Sequence, residues 1–284
     1  MSRRREVEHH RHSLGEIREI MSSMKTLAYL ETRKLDRFLS AQQAVVESVE
    51  KVAADFLTFY PETLPESRYL IPVYLLIGSE RGFCGDYNHI VARELESVTQ
   101  MNEGQMPLLL AVGRKLHPRL ESDPRVVEFV SGASVVEEVS NTLTEIVNAL
   151  TTLQQKRGPI TLYGLYHDLD GNIVKQKLLP PLRQLPVQPK SYSHPPQLNL
   201  LPRQFLLELT DHYLFAALHE MLYTALMAEN QARVSHLEGA VRRLDEESAE
   251  LARRSNALRQ EEIIEEIEVI LLSAAGLDEQ HHEQ

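Results

Sequence analysis

The chain has 284 residues, 43% hydrophobic and 25% charged, enough for one or two ordinary domains with a sizeable core. A single cysteine excludes an internal disulfide framework and a cysteine-based zinc site and is simplest in a reducing compartment, while a formal net charge of −11 argues against a dedicated nucleic-acid binder. No apolar run approaches the roughly 20 residues of a bilayer-spanning helix, and the basic start at Met1–Glu6 leads into Glu and His rather than a secretory apolar stretch, so a cytoplasmic or membrane-peripheral chain is expected.

The first element is a long helix. With only 12 glycines and 14 prolines, long stretches are free of helix breakers. From Leu14, alternating steps of three and four select Leu14, Ile17, Met21, Met24, Ala28, Glu31, Leu35, Phe38, Gln42, Val45, Val49, Val52, Phe56 and Phe59, of which all but Glu31 and Gln42 are apolar. A strict 3.5-residue repeat held this long predicts a narrow coiled-coil seam on a helix about 70 Å long. Pro61 and Pro65 end it, because proline lacks the amide donor and clashes with the preceding turn.

The middle of the chain reads differently. Short apolar runs at Tyr69–Gly78, Pro107–Gly113, Val126–Val130 and Ile160–Tyr166 predict buried strands, with helices near His89–Met101 and Val135–Gln155 between them. Strands alternating with helices imply an α/β layer with a largely parallel sheet. The turn Asp168-Leu-Asp-Gly171 then sends Asn172–Leu179 back as a hairpin partner at the sheet edge. A Pro-rich linker follows, from Pro180 to Pro202.

No proline occurs after Pro202, and a second helix is expected over Gln204–Ala275, about 100 Å long. Its seam is Val234, Leu237, Val241, Leu244, Ser248, Leu251, Ser255 and Leu258, with a wider apolar face upstream at Leu214, Leu218, Met221, Leu222, Ala225 and Leu226. The expected fold is an α/β protein in which long N- and C-terminal helices pair as an antiparallel coiled coil around a central Rossmann-like domain. Its segments are an N-terminal helix at 1–60, the α/β domain at 68–180, a linker at 181–203, a C-terminal helix at 204–276 and a polar tail at 277–284.

Candidate chemistry is sparse. Gly78-Ser-Glu-Arg-Gly-Phe-Cys84-Gly85-Asp-Tyr-Asn88 is a glycine-rich strand-to-helix turn, but its spacing fits neither the Walker loop nor GxGxxG, and no histidine base for Cys84 is identifiable, so it reads as a structural turn. His9, His10 and His12, with His281 and His282, read as solvated termini rather than metal ligands, and Glu261, Glu262, Glu265, Glu266 and Glu268 as a solvated acidic face. No cofactor and no metal is expected.

Three motifs carry a resemblance. Ile20-Met-Ser-Ser-Met24-Lys25-Thr-Leu-Ala28, the turn Arg81-Gly-Phe-Cys-Gly-Asp-Tyr-Asn88, and, near the C-terminus, Glu229-Asn-Gln-Ala-Arg233 with Asn256-Ala-Leu-Arg259-Gln260-Glu-Glu-Ile263-Ile-Glu-Glu266-Ile267 stand in the order of similar segments in the gamma subunit of the F-type ATP synthase. The chain resembles that family along almost its whole length. The resemblance implies a rotor shaft without a catalytic site of its own, threaded through a ring of alpha and beta subunits. It also implies that the foot meets the epsilon subunit and the membrane c-ring, on the cytoplasmic face of a prokaryotic membrane. Carried over by position, Arg233, Arg259, Gln260 and Glu266 would touch a beta-subunit loop, Met24 and Lys25 would lie by a beta-subunit acidic segment, and Leu271, Leu272, Ala274 and Ala275 would form apolar bearing contacts. Departures at Glu31, where alanine is usual, at Glu261 and Glu262, at Ile264 and in the tail from Leu277 resemble the alternate, in part sodium-type, branch. The alternative reading is a Rossmann-type nucleotide-dependent enzyme with helical dimerisation arms, which requires nucleotide affinity in the isolated chain.

Overall fold

The computed structural model describes residues 3–64, 70–100, 106–181 and 194–281, with backbone alone at 100 and 272–281. The middle of the Pro-rich linker and the end of the tail lie outside the described residues. Helix α1 spans Arg3–Phe59, 57 residues, and so starts well before the first seam position at Leu14. Pro61 then opens a short 3-10 turn, Pro61–Thr63. Strands β1 (Ile71–Ile77), β2 (Leu108–Val112), β3 (Val126–Val130), β4 (Ile160–His167) and β5 (Ile173–Leu179) alternate with α2 (Tyr87–Gln100), α3 (His117–Leu120) and α4 (Val139–Arg157). Helix α5 runs from Pro202 to His281, 80 residues. Its first position suits proline, whose missing N–H would have no partner there anyway.

The chain divides into two compact units, Met1–Thr26 with Ser235–Gln284, and Leu27–Val234. In the second, the strands form one sheet in the order β3-β2-β1-β4-β5. β1 pairs in parallel with β2 and β4, β2 with β3, and β5 closes the edge antiparallel to β4. The turn before β5 forms as expected: the Asp168 carboxylate accepts the amides of Asp170 at 3.0 Å and Asn172 at 2.8 Å. Alternation along β1 splits the interior in two. Val73, Leu75 and Ile77 join α1, α4 and α5 in the larger core, whereas Tyr74 and Leu76 cluster with Val91 and Leu95 of α2, Leu116 just before α3 and Leu120 at its end. The result is a mixed sheet between helical layers.

Within this unit the buried residues of α1 are Ala28, Thr32, Leu35, Leu39, Val46, Ala53, Ala54 and Phe56. That differs in phase from the expected seam: positions 28, 35 and 56 hold, but Phe38, Val45 and Val52 remain 46%, 48% and 44% exposed while Leu39, Val46 and Ala53 turn inward. The sequence has apolar residues at both members of each adjacent pair, and only the partner surface selects one. Contacts to α5 fall in reverse order along the chain, Phe38 against Tyr223, the Gln42 amide donating to the Ala216 carbonyl at 3.0 Å, Tyr213 donating to Glu50 at 3.3 Å, and Phe56 against Phe205. Glu31 accepts the Val136 amide at 2.7 Å and Lys34 pairs with Glu137, tying α1 to the chain entering α4.

In the first unit, Leu14, Leu237, Val241 and Ser255 are buried. The seam positions Leu244, Ser248, Leu251 and Leu258 are half-buried. Here too partner numbers fall as those of α1 rise: Arg4 meets Glu262 at 3.3 Å, Glu8 accepts the Ser255 hydroxyl at 3.2 Å, His10 lies 3.6 Å from Glu247, and Arg18 meets Asp245 at 2.5 Å. His9, His10 and His12 are exposed, solvated side chains on α1.

Candidate functional site

The glycine-rich turn after β1 lies against α5, and two buried carboxylates organise it. Glu229, on α5, accepts the backbone amides of Glu80 and Arg81, both at 3.1 Å. Arg233, one helical turn on, pairs with Glu229 and donates to the Gly82 carbonyl at 3.1 Å, the Cys84 sulfur at 3.4 Å and the Asn230 side chain at 2.7 Å. Tyr87 completes the clasp by donating its hydroxyl to the Ala225 carbonyl at 3.1 Å. Burial holds the Glu229 carboxyl above its usual range, and Arg233 and the two amides offset only part of that rise. These contacts hold a strained backbone, since Phe83 has φ +64°, the left-handed region a bulky side chain rarely adopts.

Glu80 is the second carboxylate. It accepts the amides of Arg114 at 3.0 Å and Gly132 at 2.8 Å and meets the Arg114 guanidinium at 2.7 Å. Ligands of open α/β sheets bind outside the carboxyl ends of the strands. Here, backbone donors at that edge, beyond β1, β2 and β3, already hold carboxylates from the chain itself. The nucleotide-enzyme alternative needs such donors for phosphate, and nothing in this geometry favours it.

A cavity of about 280 Å³ adjoins the turn, lined by Cys84, Tyr87, His167, Asp168 and Gln231 among others. It does not assemble a nucleophile. Desolvation pushes the Cys84 thiol up to about 11. Both nitrogens of His167 lie against carbonyl oxygens, of Tyr87 at 3.0 Å and Gly171 at 3.1 Å, so the ring is engaged structurally.

The residues singled out in the sequence are scattered by the fold. Met24 and Lys25 are half-buried in the first unit, where Arg259, Gln260, Glu266 and Leu271 are exposed on α5. The side chains of Leu272, Ala274 and Ala275 lie outside the described residues. Arg233 is 5% exposed in the second unit, its guanidinium engaged inside the chain instead of presented to a partner. A charge pair four residues apart on an apolar helix face was the available signal for Glu229 and Arg233. Glu80 had none.

A family model described as ATP synthase matches residues 3–277. The chain belongs to the ATP synthase gamma family. Relatives include the ATP synthase gamma chain of Bifidobacterium longum (strain DJO10A), 25% identical over 82% of this chain and 83% of that one. The mitochondrial ATP synthase subunit gamma of Yarrowia lipolytica is 24% identical over 96% of this chain and 92% of that one. Among solved structures, a chain of the Euglena gracilis mitochondrial ATP synthase (OSCP/F1/c-ring, rotational state 3) aligns with TM-score 0.60 at 15% identity, over 96% of this chain and 94% of that one. A chain of the Tetrahymena thermophila mitochondrial ATP synthase central stalk/c-ring aligns with TM-score 0.55 at 16% identity, over 78% and 99%. At these identities the likeness is one of fold: a mixed sheet carried with long terminal helices. Among the described residues, no helix is long and apolar enough to cross a membrane.

Proposed function

We propose that the chain is the central rotor shaft, the gamma subunit, of an F-type ATP synthase, coupling ion translocation in the membrane sector to ATP synthesis or hydrolysis in the alpha/beta ring. The family match over nearly the whole chain carries this reading. The terminal helices act as an antiparallel coiled coil, a reading supported by the reversed order of the ion pairs from Arg4–Glu262 to Arg18–Asp245. The working division is 1–60 and 204–276 as shaft helices, 68–180 as the Rossmann-like domain, 181–203 as linker and 277–284 as tail.

The shaft has no reaction of its own to perform. An asymmetric axle makes the three ring sites nonequivalent by biasing conformations they already possess. Its partners are the alpha and beta subunits, with the epsilon subunit and c-ring at the foot, in a peripheral position on the membrane's cytoplasmic face. Exposed Arg259, Gln260 and Glu266 suit a beta-subunit loop, Met24 and Lys25 an acidic beta segment, and Leu271 with Leu272, Ala274 and Ala275 the bearing. Exposed Ile263, Ile264, Ile267, Val269 and Ile270 add apolar surface beside that end of α5. Arg233 serves the shaft indirectly, by fixing the turn at Gly82–Cys84.

The test is reconstitution with cognate alpha and beta subunits. Assembly of one chain per ring and a rise of at least about tenfold in steady-state ATPase turnover are expected. Equal turnover and equal assembly without the chain overturn the proposal.

A further inference from the structure

We propose that the carboxyl edge of the sheet contains an anion cradle, formed by the amides of Arg114 and Gly132 and the Arg114 guanidinium, in which Glu80 is a built-in ligand occupying the place of a small oxyanion of the phosphate class. The inference goes beyond the rotor reading and stands independently of it, since every group involved belongs to the α/β domain.

The cradle is built by the ends of adjacent strands. Glu80 follows β1, Arg114 follows β2 and Gly132 follows β3, so three strand ends converge on one carboxylate. The Glu80 side chain is only 4% exposed, yet both its oxygens are engaged: Oε1 by the Arg114 guanidinium at 2.7 Å, and Oε2 by the Arg114 amide at 3.0 Å and the Gly132 amide at 2.8 Å. Two backbone N–H groups and a guanidinium around one anion are the donor set of a phosphate site.

The backbone leaves room for that anion. A Cβ at Gly132 would stand 3.2 Å from Glu80 Oε2 and 3.2 Å from the Gly113 Cα, crowding the occupied space. Gly113 has φ +100°, and a Cβ there would lie 2.6 Å from the Gly78 carbonyl oxygen. Glycine at 113 therefore permits the turn that brings the Arg114 amide inward. The Arg114 side chain is 76% exposed, so solvent borders the cradle on the guanidinium side. Removing the Glu80 carboxylate leaves two part-buried amides and the Arg114 guanidinium without their shared acceptor, and an external anion then replaces it.

The full-length wild type and Glu80→Ala are compared by thermal unfolding in sodium phosphate against sodium chloride of equal ionic strength. Glu80→Ala is expected to gain stability saturably with phosphate while wild type does not respond. With a dissociation constant of about 1 mM, 10 mM phosphate raises the folding constant about tenfold. A Glu80→Ala chain that unfolds in chloride is expected to recover its folded signal in phosphate. The isosteric Glu80→Gln, which retains shape but not charge, is expected to speed hydrogen exchange at the Arg114 and Gly132 amides about fivefold relative to neighbouring amides. Absence of any phosphate effect on Glu80→Ala, an equal effect on wild type, or unchanged exchange in Glu80→Gln overturns the cradle.

Discussion

Arg233 illustrates how a charged side chain becomes a structural part. Its guanidinium reaches Glu229, Asn230, the Gly82 carbonyl and the Cys84 sulfur from a site 5% exposed. Truncating one member of a buried ion pair leaves the other charge uncompensated, so Arg233→Ala is expected to cost about 3 kcal/mol in urea unfolding. Arg233→Lys should recover only part of that loss, because an ammonium lacks the planar fork. Arg233→Ala should also expose Cys84, whose wild-type thiol, pushed up to about 11, is expected to react with 5,5′-dithiobis(2-nitrobenzoate) at pH 8 roughly 100-fold more slowly than free cysteine. Unchanged stability in Arg233→Ala with an equally slow thiol would remove the guanidinium from the clasp. The turn Arg81–Asn88 was legible as a structural element, because its glycine spacing fits no phosphate motif. Its holders were not, since Glu229 lies 149 residues from the Glu80 amide it accepts.

At the scale of elements, period was legible and phase was not. Both long helices were readable from apolar positions recurring at three and four, and the five strand runs from composition and bounding turns. Along α1, however, Phe38 and Leu39, Val45 and Val46, and Val52 and Ala53 offer two adjacent apolar choices, and the fold buries the second of each pair. Leu39, 4% exposed, should lose about 2–3 kcal/mol on change to Ala through lost burial and a residual cavity. Val45→Ser, at a site 48% exposed, should stay within about 0.5 kcal/mol. Denaturant titration of both variants checks the phase, and the reverse order of losses would favour the seam through Val45.

For the whole molecule, neighbouring residues pull the pH dependence of stability in opposite directions. Burial pushes the Glu220 carboxyl up from 4.5, helped by Glu50 and Glu47 across on α1, and Tyr213 and Tyr166 face it as well. Its folded form holds a proton more readily than the unfolded chain, so its contribution is present at low pH and lost as pH rises through the folded value. Burial pushes the His219 imidazole down from 6.5, so its contribution is present above that unfolded value and lost as pH falls through the lower folded value. Glu220→Gln removes one slope. Urea titrations between pH 5 and pH 7 should therefore show a steeper gain with pH than wild type, and greater stability at pH 7, by less than about 1 kcal/mol because the site is partly solvated. Lower stability of the variant at pH 7 would mean that this carboxylate is held by an attractive partner. Taken by itself, the sequence determined the element types, the strand–helix alternation, the hairpin after Asp168 and the family, because each rests on short-range periodicity, turn chemistry or motifs contiguous in the chain. Tertiary structure alone decided the inward phase of α1, the burial of Arg233 and the seating of Glu80 and Glu229 on backbone amides. Those outcomes depend on which distant donor or apolar surface reaches a position, and a one-dimensional pattern does not carry that information.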